Sequence, residues 1–213
     1  MERMIAGYRR FRSEVFEGLR GHFKSLSESQ APHTLFITCA DSRIVPSLIT
    51  QTEPGELFIC RVVGNLVPAF GADDGAVSSA IEYSVGVLGV RHVVVCGHSD
   101  CGAMRAFLYP EKLASLKSVS SWLTNAQTAI TVARQEHGDL PPAEFVDRLI
   151  EENVMTQLSH LQTHPSVAAA LRKGVLQIHG WVYNIGNGEI KAYDEEQRAF
   201  HELGAGVLAG GGA

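Results

Sequence analysis

The sequence lacks several features that would place it in whole classes of protein. It has no long hydrophobic run, because its longest apolar stretch, residues 85–95, is interrupted by Arg91 and His92. That stretch is shorter than the roughly 20 apolar residues that span a bilayer. It also has no basic excess, since 18 Lys and Arg against 23 Asp and Glu give a net charge of −5. We therefore expect neither a membrane nor a nucleic acid as partner.

The N-terminal segment lacks the marks of a secretory signal. MERMIAGYRRFRSEV contains arginines but no apolar core, and no small-residue cleavage site follows it. We expect a cytoplasmic protein, in which the four cysteines are metal ligands, catalytic thiols or core residues rather than disulfide partners.

The chain also lacks internal repeats, and its length is sufficient for one domain with its own core. Of its 213 residues 45% are hydrophobic, enough to bury a full core. We expect residues 1–203 to form a single domain, of which residues 1–30 are an N-terminal helical arm. Residues 204–213 are rich in glycine and are expected to form a flexible tail.

Strand-like and helical patterns alternate in the middle of the chain. TLFITC (34–39), ELFICRVV (56–63) and VRHVVVCG (90–97) are short runs with strand composition. Residues 76–88 have helical spacing, and such alternation predicts an α/β fold with a central parallel sheet flanked by helices. Residues 175–194 differ, because Gly186-Asn187-Gly188 separates two strand-like runs. This hairpin signal predicts an antiparallel edge.

Long helical patterns lie on either side of the sheet-forming segments. In residues 1–26 the apolar side chains recur every three or four positions, which predicts an amphipathic helix whose apolar face covers another surface. Residues 111–173 are also helical by period, with a break at Pro141-Pro142. Without strands between them, these helices are expected to be packing or dimer-forming arms rather than a separate domain.

Potential metal ligands follow two of the predicted strands. The first strand ends in Cys39, and the third leads into His98 and Cys101. Ligands of α/β proteins bind beyond the carboxyl ends of the strands, so these side chains converge if the two strands are neighbours. Two thiolates and an imidazole are a zinc ligand set that leaves a fourth position for water or substrate. Cys60 and Cys96 lie within strands and are expected to be core residues.

Asp41 and Arg43 flank this predicted site and allow two arrangements. Asp41 either accepts a hydrogen bond from a zinc-bound hydroxide or itself takes the fourth position on the metal and closes the site. A charge-assisted pair with Arg43 would hold the carboxylate off the metal, which makes the pair an on/off switch. The ordinary alternative is a helix-capping Asp beside a solvated Arg.

Together these motifs resemble the signature of a known family. Cys39-x-Asp41-Ser42-Arg43 followed by Gly97-His98-Ser99-x-Cys101-Gly102 resembles that of the β-class carbonic anhydrases, zinc enzymes that interconvert carbon dioxide and bicarbonate. Residues 54–68, 80–102 and 179–188 also resemble bacterial and plant members of the family. The similarity covers about residues 1–200.

The resemblance implies a role for each matching residue. Cys39, His98 and Cys101 would hold Zn²⁺, and Asp41 with Arg43 would gate and orient the fourth ligand. The matching residues of the substrate pocket are Gln30, Phe58, Val63, Tyr83 and Gly102. Gln30 would reach bicarbonate across a dimer interface, Gly102 would offer a backbone N–H, and the other three would form the pocket wall.

The family's fold and assembly are implied as well. They are a parallel sheet of four strands with an antiparallel edge, an N-terminal helix wrapped over a partner, and a dimer or dimer of dimers. In bicarbonate-regulated members a tryptophan stands three residues before the first cysteine, and here that position is Phe36. Arg61 and Tyr183 match the other members of that inhibitory site, but without the tryptophan the site is incomplete. Together with Gln30, Phe36 therefore favours the plant-like form with water on the metal.

The implied reaction is reversible hydration of carbon dioxide to bicarbonate and a proton, by attack of zinc-bound hydroxide. Two alternatives stand beside it. Relatives with the same motifs hydrolyse carbon disulfide or carbonyl sulfide. A non-catalytic zinc module, closed by Asp41, would instead serve only assembly.

Overall fold

The computed structural model describes residues 1–72 and 75–204. Apart from Gly204, the predicted flexible tail lies outside the described residues.

A six-stranded sheet forms the centre of the described structure, with the strand order β2-β1-β3-β4-β5-β6. Strands β1 to β4 are parallel, and β5 and β6 are antiparallel to their neighbours. The strands are β1 Thr34–Cys39, β2 Leu57–Val62, β3 His92–His98, β4 Gln177–Tyr183, β5 Ile190–Asp194 and β6 Ala199–Glu202. The predicted parallel sheet with an antiparallel edge is confirmed. The predicted hairpin covered residues 175–194, which include β4 and β5. The edge strand β6 was not predicted.

Helices cover the sheet and connect its strands. They are α1 Glu2–Arg10, α2 Phe16–Leu26, α3 Pro46–Thr50, α4 Ala76–Gly86, α5 Gly102–Ala106, α6 Lys117–Leu123, α7 Gln127–His137, α8 Pro142–Gln162 and α9 Pro165–Arg172. Helix α8 is the longest of these, and it begins at Pro142, since proline at the first helical position loses no intrahelical hydrogen bond. The predicted break at this proline pair thus separates α7 from α8.

The two faces of the sheet are covered differently. On one face, side chains such as Leu35, Ile37 and Val95 are fully buried in a cluster that extends to α4, α8 and α9. On the other face, a smaller cluster around Phe36 and Val94 packs against α3 and Trp181. This alternation follows from the period of two along each strand. A further buried cluster packs α5, α7 and α8 against one another beside Cys39 and Cys101, so the hydrophobic core extends from the sheet into the helices at its carboxyl end.

The N-terminal arm is helical over Glu2–Leu26, with a π-helical turn at Phe11–Val15 between α1 and α2. None of its residues is buried. Near its end His22 Nε2 lies 2.8 Å from the carbonyl oxygen of Pro54, and the Leu26 side chain contacts Gly55. The apolar face that was predicted to cover a surface is exposed in the single chain.

Within the described residues, no helix combines the length and the apolar character that crossing a bilayer requires.

Candidate metal centre

The three predicted metal ligands converge at the carboxyl end of the parallel strands. Cys39 is the last residue of β1 and His98 the last of β3. Cys101 lies three residues after His98, immediately before α5. Because β1 pairs directly with β3, the two strand ends are neighbours. The two sulfur atoms and a His98 ring nitrogen lie within 4.8 Å of one another, and all three residues are buried.

The orientation of His98 fits a metal ligand. Its Nδ1 lies 2.9 Å from the carbonyl oxygen of Ser99, which can only accept, so Nδ1 carries the hydrogen and Nε2 has the free lone pair. Nε2 is buried and has no hydrogen-bond partner among the described residues. Its contact with Asp41 Oδ2 measures 3.9 Å. A buried nitrogen without a partner is costly, and a metal ion would satisfy it.

The two thiols also fit a divalent cation. A hydrogen bond from Cys101 and the neighbouring His98 ring lower the pKa of Cys39, and the Gly64 N–H donates to the Cys39 sulfur at 3.4 Å. The Cys39 anion in turn raises the pKa of Cys101. Two thiolates side by side repel each other, and a dication between them removes this repulsion. The donor set of two sulfurs and one nitrogen is therefore well suited to Zn²⁺.

Burial is the main cause of the raised pKa of each of the other two cysteines. Cys96 is fully buried within β3, and desolvation raises its pKa to about 12. Cys60 is half-buried in β2 and its pKa is also raised by desolvation. Neither residue belongs to the group that could hold a metal, in agreement with the core role predicted for both.

Asp41 and Arg43 form a bidentate pair beside the ligands. Arg43 Nε donates to Asp41 Oδ1 at 3.0 Å, Arg43 Nη2 donates to Oδ2 at 2.8 Å, and the Arg43 backbone N–H donates to Oδ1 at 2.9 Å. These bonds from Arg43 hold the pKa of Asp41 well below its usual value. Of the two arrangements allowed by the sequence, the structure contains the one in which Arg43 holds Asp41.

Four further residues contact this centre or the charged side chains around it, and the sequence predicted none of them as a ligand or as part of the Asp–Arg pair. Arg61 donates to the carbonyl oxygens of Cys39 and Asp41. Gly64 donates to the Cys39 sulfur and has φ of +72°. Asp100 and Arg105 extend the charged network outward from Arg43. Asp100 occupies the unspecified position of the His98-Ser99-x-Cys101 motif, so the motif carried no signal for it.

The predicted pocket residues divide into two groups. Val63 follows β2 beside Gly64, and Gly102 begins α5 directly after Cys101, so both adjoin the ligands. Phe58 is paired with Leu35, four residues before Cys39, which places it about 13 Å away along the sheet.

Tyr83 packs on Phe58 with ring centroids 6.0 Å apart, and Gln30 is exposed in the segment before β1. The register thus places the Phe58–Tyr83 pair away from the ligands of its own chain. The functional roles of these residues stay predictions.

The Phe36 ring packs against another aromatic ring. Phe36 is buried, and its ring meets that of Trp181 in an edge-to-face arrangement with centroids 6.0 Å apart. Arg61 directs its guanidinium to backbone carbonyls of β1 and the following loop.

Comparisons with known proteins identify the family. Residues 34–190 match the family model described as carbonic anhydrase. A carbonic anhydrase of Pseudomonas aeruginosa is 47% identical over 203 residues, which cover 95% of this chain and 92% of that protein. The structure of the β-carbonic anhydrase CcaA superposes with a TM-score of 0.93 at 39% identity, over 95% of this chain and 91% of that one.

The chain belongs to the β-carbonic anhydrase family. The resemblance predicted from the motifs is thereby confirmed, and with it the predicted fold. Members of this family are zinc-dependent lyases that hydrate carbon dioxide, and the Cys39–His98–Cys101 group is consistent with that metal. A chain from the crystal structures of two tetrameric β-carbonic anhydrases of Sordaria macrospora is also similar, with a TM-score of 0.73 and 30% identity over 90% of this chain and 92% of that chain. The family thus includes homo-oligomers.

Proposed function

We propose that this chain catalyses the reversible hydration of carbon dioxide to bicarbonate and a proton at the Cys39–His98–Cys101 centre. The observation that carries the proposal is the buried ligand triad with Asp41 beside it, 3.9 Å from the unpartnered His98 Nε2. When bound there, Zn²⁺ supplies Lewis-acid chemistry that makes water a nucleophile near neutral pH.

Asp41 orients the nucleophile in this proposal. Its carboxylate is ionised because Arg43 donates to both oxygens, so it can accept a hydrogen bond from the attacking O–H. Arg43 keeps the carboxylate from taking the place of the nucleophile. This pairing favours an open catalytic site over the closed, non-catalytic zinc module.

We propose that a second copy of the chain completes the substrate pocket. Of the predicted pocket residues, Val63 and Gly102 adjoin the ligands of their own chain, whereas Phe58 lies about 13 Å away along β2. In a dimer, Phe58 and Tyr83 would supply an apolar wall for carbon dioxide. Gln30 and the Gly102 N–H would donate to bicarbonate oxygens.

The N-terminal arm supports the proposed dimer. Its residues Ile5, Tyr8 and Val15 are 45%, 62% and 47% exposed, and such a contiguous apolar face marks an interaction surface. A second copy that covers this face would also bury the arm, which is unburied along its whole length. We infer that residues 1–203 act as one catalytic domain that dimerises through residues 1–30.

A cytoplasmic location also belongs to the proposal. Cys39 and Cys101 must stay reduced to bind zinc, and a reducing compartment ensures this. The cysteines in the described residues are all free thiols.

The direct test is stopped-flow hydration of carbon dioxide by metal-quantified protein, scanned from about pH 6.5 to about 9. Activity across this range, rising along one ionisation, is the expected result for an open site with Asp41 held by Arg43. Activity that is absent below about pH 8 and then rises steeply would mean that Asp41 closes the site. Carbon disulfide and carbonyl sulfide, assayed on the same preparation, test the alternative substrates.

A further inference from the structure

We propose that Asp100 is a positioning residue which, together with Arg105, fixes the Arg43 guanidinium in the orientation that grips Asp41. The inference rests on the proposed function, because it concerns the group that holds the nucleophile-orienting carboxylate.

Arg43 contacts two different aspartates through two edges of its guanidinium. The inner edge, Nε and Nη2, donates to the two Asp41 oxygens at 3.0 and 2.8 Å. On the outer edge, Nη1 donates to Asp100 Oδ2 and Nη2 donates to the Asp100 carbonyl oxygen, both at 3.3 Å. A planar guanidinium with acceptors on both edges cannot rotate about Nε–Cζ without losing bonds on each side.

Asp100 is itself held in place from two directions. Its backbone has φ of +54°, a left-handed conformation that aspartate tolerates better than most residues. Arg105 Nη1, from α5, donates to Asp100 Oδ1 at 2.7 Å. The four side chains therefore form a row of alternating charge, Asp41, Arg43, Asp100 and Arg105, in which every carboxylate has a cationic partner.

This row joins the two loops that supply the metal ligands. Asp41 and Arg43 follow Cys39 at the end of β1, whereas Asp100 lies between His98 and Cys101 at the end of β3. The Arg43 side chain is 43% exposed, and a long exposed side chain loses rotamer entropy when it is fixed in one geometry. The outer contacts with Asp100 offset that loss, so Arg43 presents its inner edge to Asp41 for more of the time.

The experiment is an NMR measurement of Arg43 guanidinium rotation, combined with kinetics, on the zinc-loaded full-length protein. Arginine is labelled with ¹⁵N, and the Arg43 Nε and Nη signals are identified by their absence from Arg43→Lys. Asp100→Asn removes the carboxylate while keeping a residue that tolerates positive φ.

Arg105→Gln removes the outer partner, and Arg148→Gln is its matched control. Arg148 Nη1 donates to Glu151 at 2.8 Å and its side chain is 54% exposed, against 2.7 Å and 55% for Arg105.

We expect separate, slowly rotating Arg43 Nη signals in the wild type and merged signals in Asp100→Asn. The kcat/KM for carbon dioxide should fall about two- to fivefold in Asp100→Asn, the effect of an exposed charged pair, with zinc content unchanged. Arg105→Gln should act in the same direction but less, and Arg148→Gln should leave both quantities at their wild-type values.

Unchanged Arg43 signals in Asp100→Asn would overturn the proposal, as would merged signals with an unchanged kcat/KM. An inactive wild type that contains zinc would instead overturn the proposed function. The two failures are distinguishable, because the Arg43 signals report the contact with Asp100 without reference to turnover.

Discussion

The carboxyl end of the sheet and the N-terminal arm differ in how much a single chain completes. At the sheet end Cys39, His98 and Cys101 are at most 6% exposed, and their ligand atoms already converge. In the arm no residue of Glu2–Leu26 is buried, although Tyr8 and Phe11 are large and apolar. The metal ligands thus come from one chain, whereas the arm presents an apolar surface that a second chain covers in the proposed dimer.

From this difference we infer that metal binding needs one chain and substrate binding needs two. Parallel strands bring the ligands together because β1 and β3 are neighbours in one sheet. The same strand geometry keeps Phe58 away from Cys39, because strand residues four positions apart are about 13 Å apart. We therefore expect substitutions at the ligands to act within a chain and substitutions at the arm or at Phe58 to act between chains.

Loss of a metal ligand should have the largest effect. His98→Ala removes the only nitrogen donor of the triad, so zinc affinity should fall by orders of magnitude and hydration should drop to the uncatalysed rate. Metal analysis and stopped-flow hydration measure the two quantities. His160→Ala, in α8, is the control, and a zinc-containing, active His98→Ala protein would contradict the assignment.

Asp41→Asn should have the next largest effect and should leave the metal in place. The amide cannot accept as the carboxylate does and loses its ionic pair with Arg43, so kcat/KM should fall about 1,000-fold, within the range for groups that handle a reacting proton. Zinc content should stay at one ion per chain. A zinc-loaded Asp41→Asn enzyme of wild-type activity would refute the orienting role.

Charges placed on the arm should separate the chains. Ile5 and Tyr8 are exposed in the single chain, so Ile5→Glu combined with Tyr8→Glu should leave its fold intact while disrupting a covered apolar face. We expect a monomer by analytical ultracentrifugation and a loss of kcat/KM of about 100-fold, from displaced substrate-positioning groups.

The control for the arm is Val175→Glu, at a residue that is 60% exposed outside it. It should leave assembly and activity unchanged. A dimeric, fully active arm variant would remove the arm from the interface.

Tyr83→Phe should have a smaller effect on turnover. It keeps the apolar ring that packs on Phe58 and removes only the hydroxyl, so kcat/KM should fall by at most about tenfold, the effect of losing one hydrogen bond to the substrate. Sedimentation and zinc content should not change. The same substitution at Tyr109, which is also exposed, should leave hydration kinetics at the wild-type level, and an equal loss there would show that the effect is not specific to the pocket.

The smallest expected effect is that of Asp41→Asn on the stability of the metal-free protein. The pKa of Asp41 is lowered in the folded state by Arg43, so its stabilisation is present above the unfolded pKa of about 3.9. It is lost as the pH falls through the lower folded pKa. The unfolding free energy of the metal-free protein should be about 1 kcal/mol higher than that of Asp41→Asn at pH 7.

Urea unfolding at several pH values measures this difference, which should shrink as the pH falls below about 3.9. A difference that persists unchanged into strong acid would contradict the ion-pair explanation.

The metal ligands at the carboxyl end of the sheet could be predicted because the patterns that indicate them are local in the sequence. Cys39 and His98 each end a β-rich run, and the rule that parallel strands present their carboxyl ends together places them side by side. Strand β6 was not predictable in the same way. Ala199–Glu202 is only four residues long and has one large apolar side chain, so it carries little strand signal without the neighbouring β5.

Other features depend on geometry that the sequence does not encode locally. Asp100 gains its contacts from a left-handed backbone and from two arginines on different elements. The family resemblance assigns Phe58 and Tyr83 to the pocket, but their distance from Cys39 follows only from the register of β1 with β2 and from the packing of the two rings. The sequence therefore predicts the metal chemistry better than the assembly of the pocket.

The most direct test of the central claim uses mixed dimers of two defective chains. One chain carries His98→Ala, and the other carries Gln30→Ala together with Phe58→Ala. If the pocket residues act across the interface, each purified mixed dimer contains one intact site, and hydration should return to about half of the wild-type rate. If instead each chain supplies its own pocket, the mixed dimers should be no more active than the two parent proteins, and the account would be wrong.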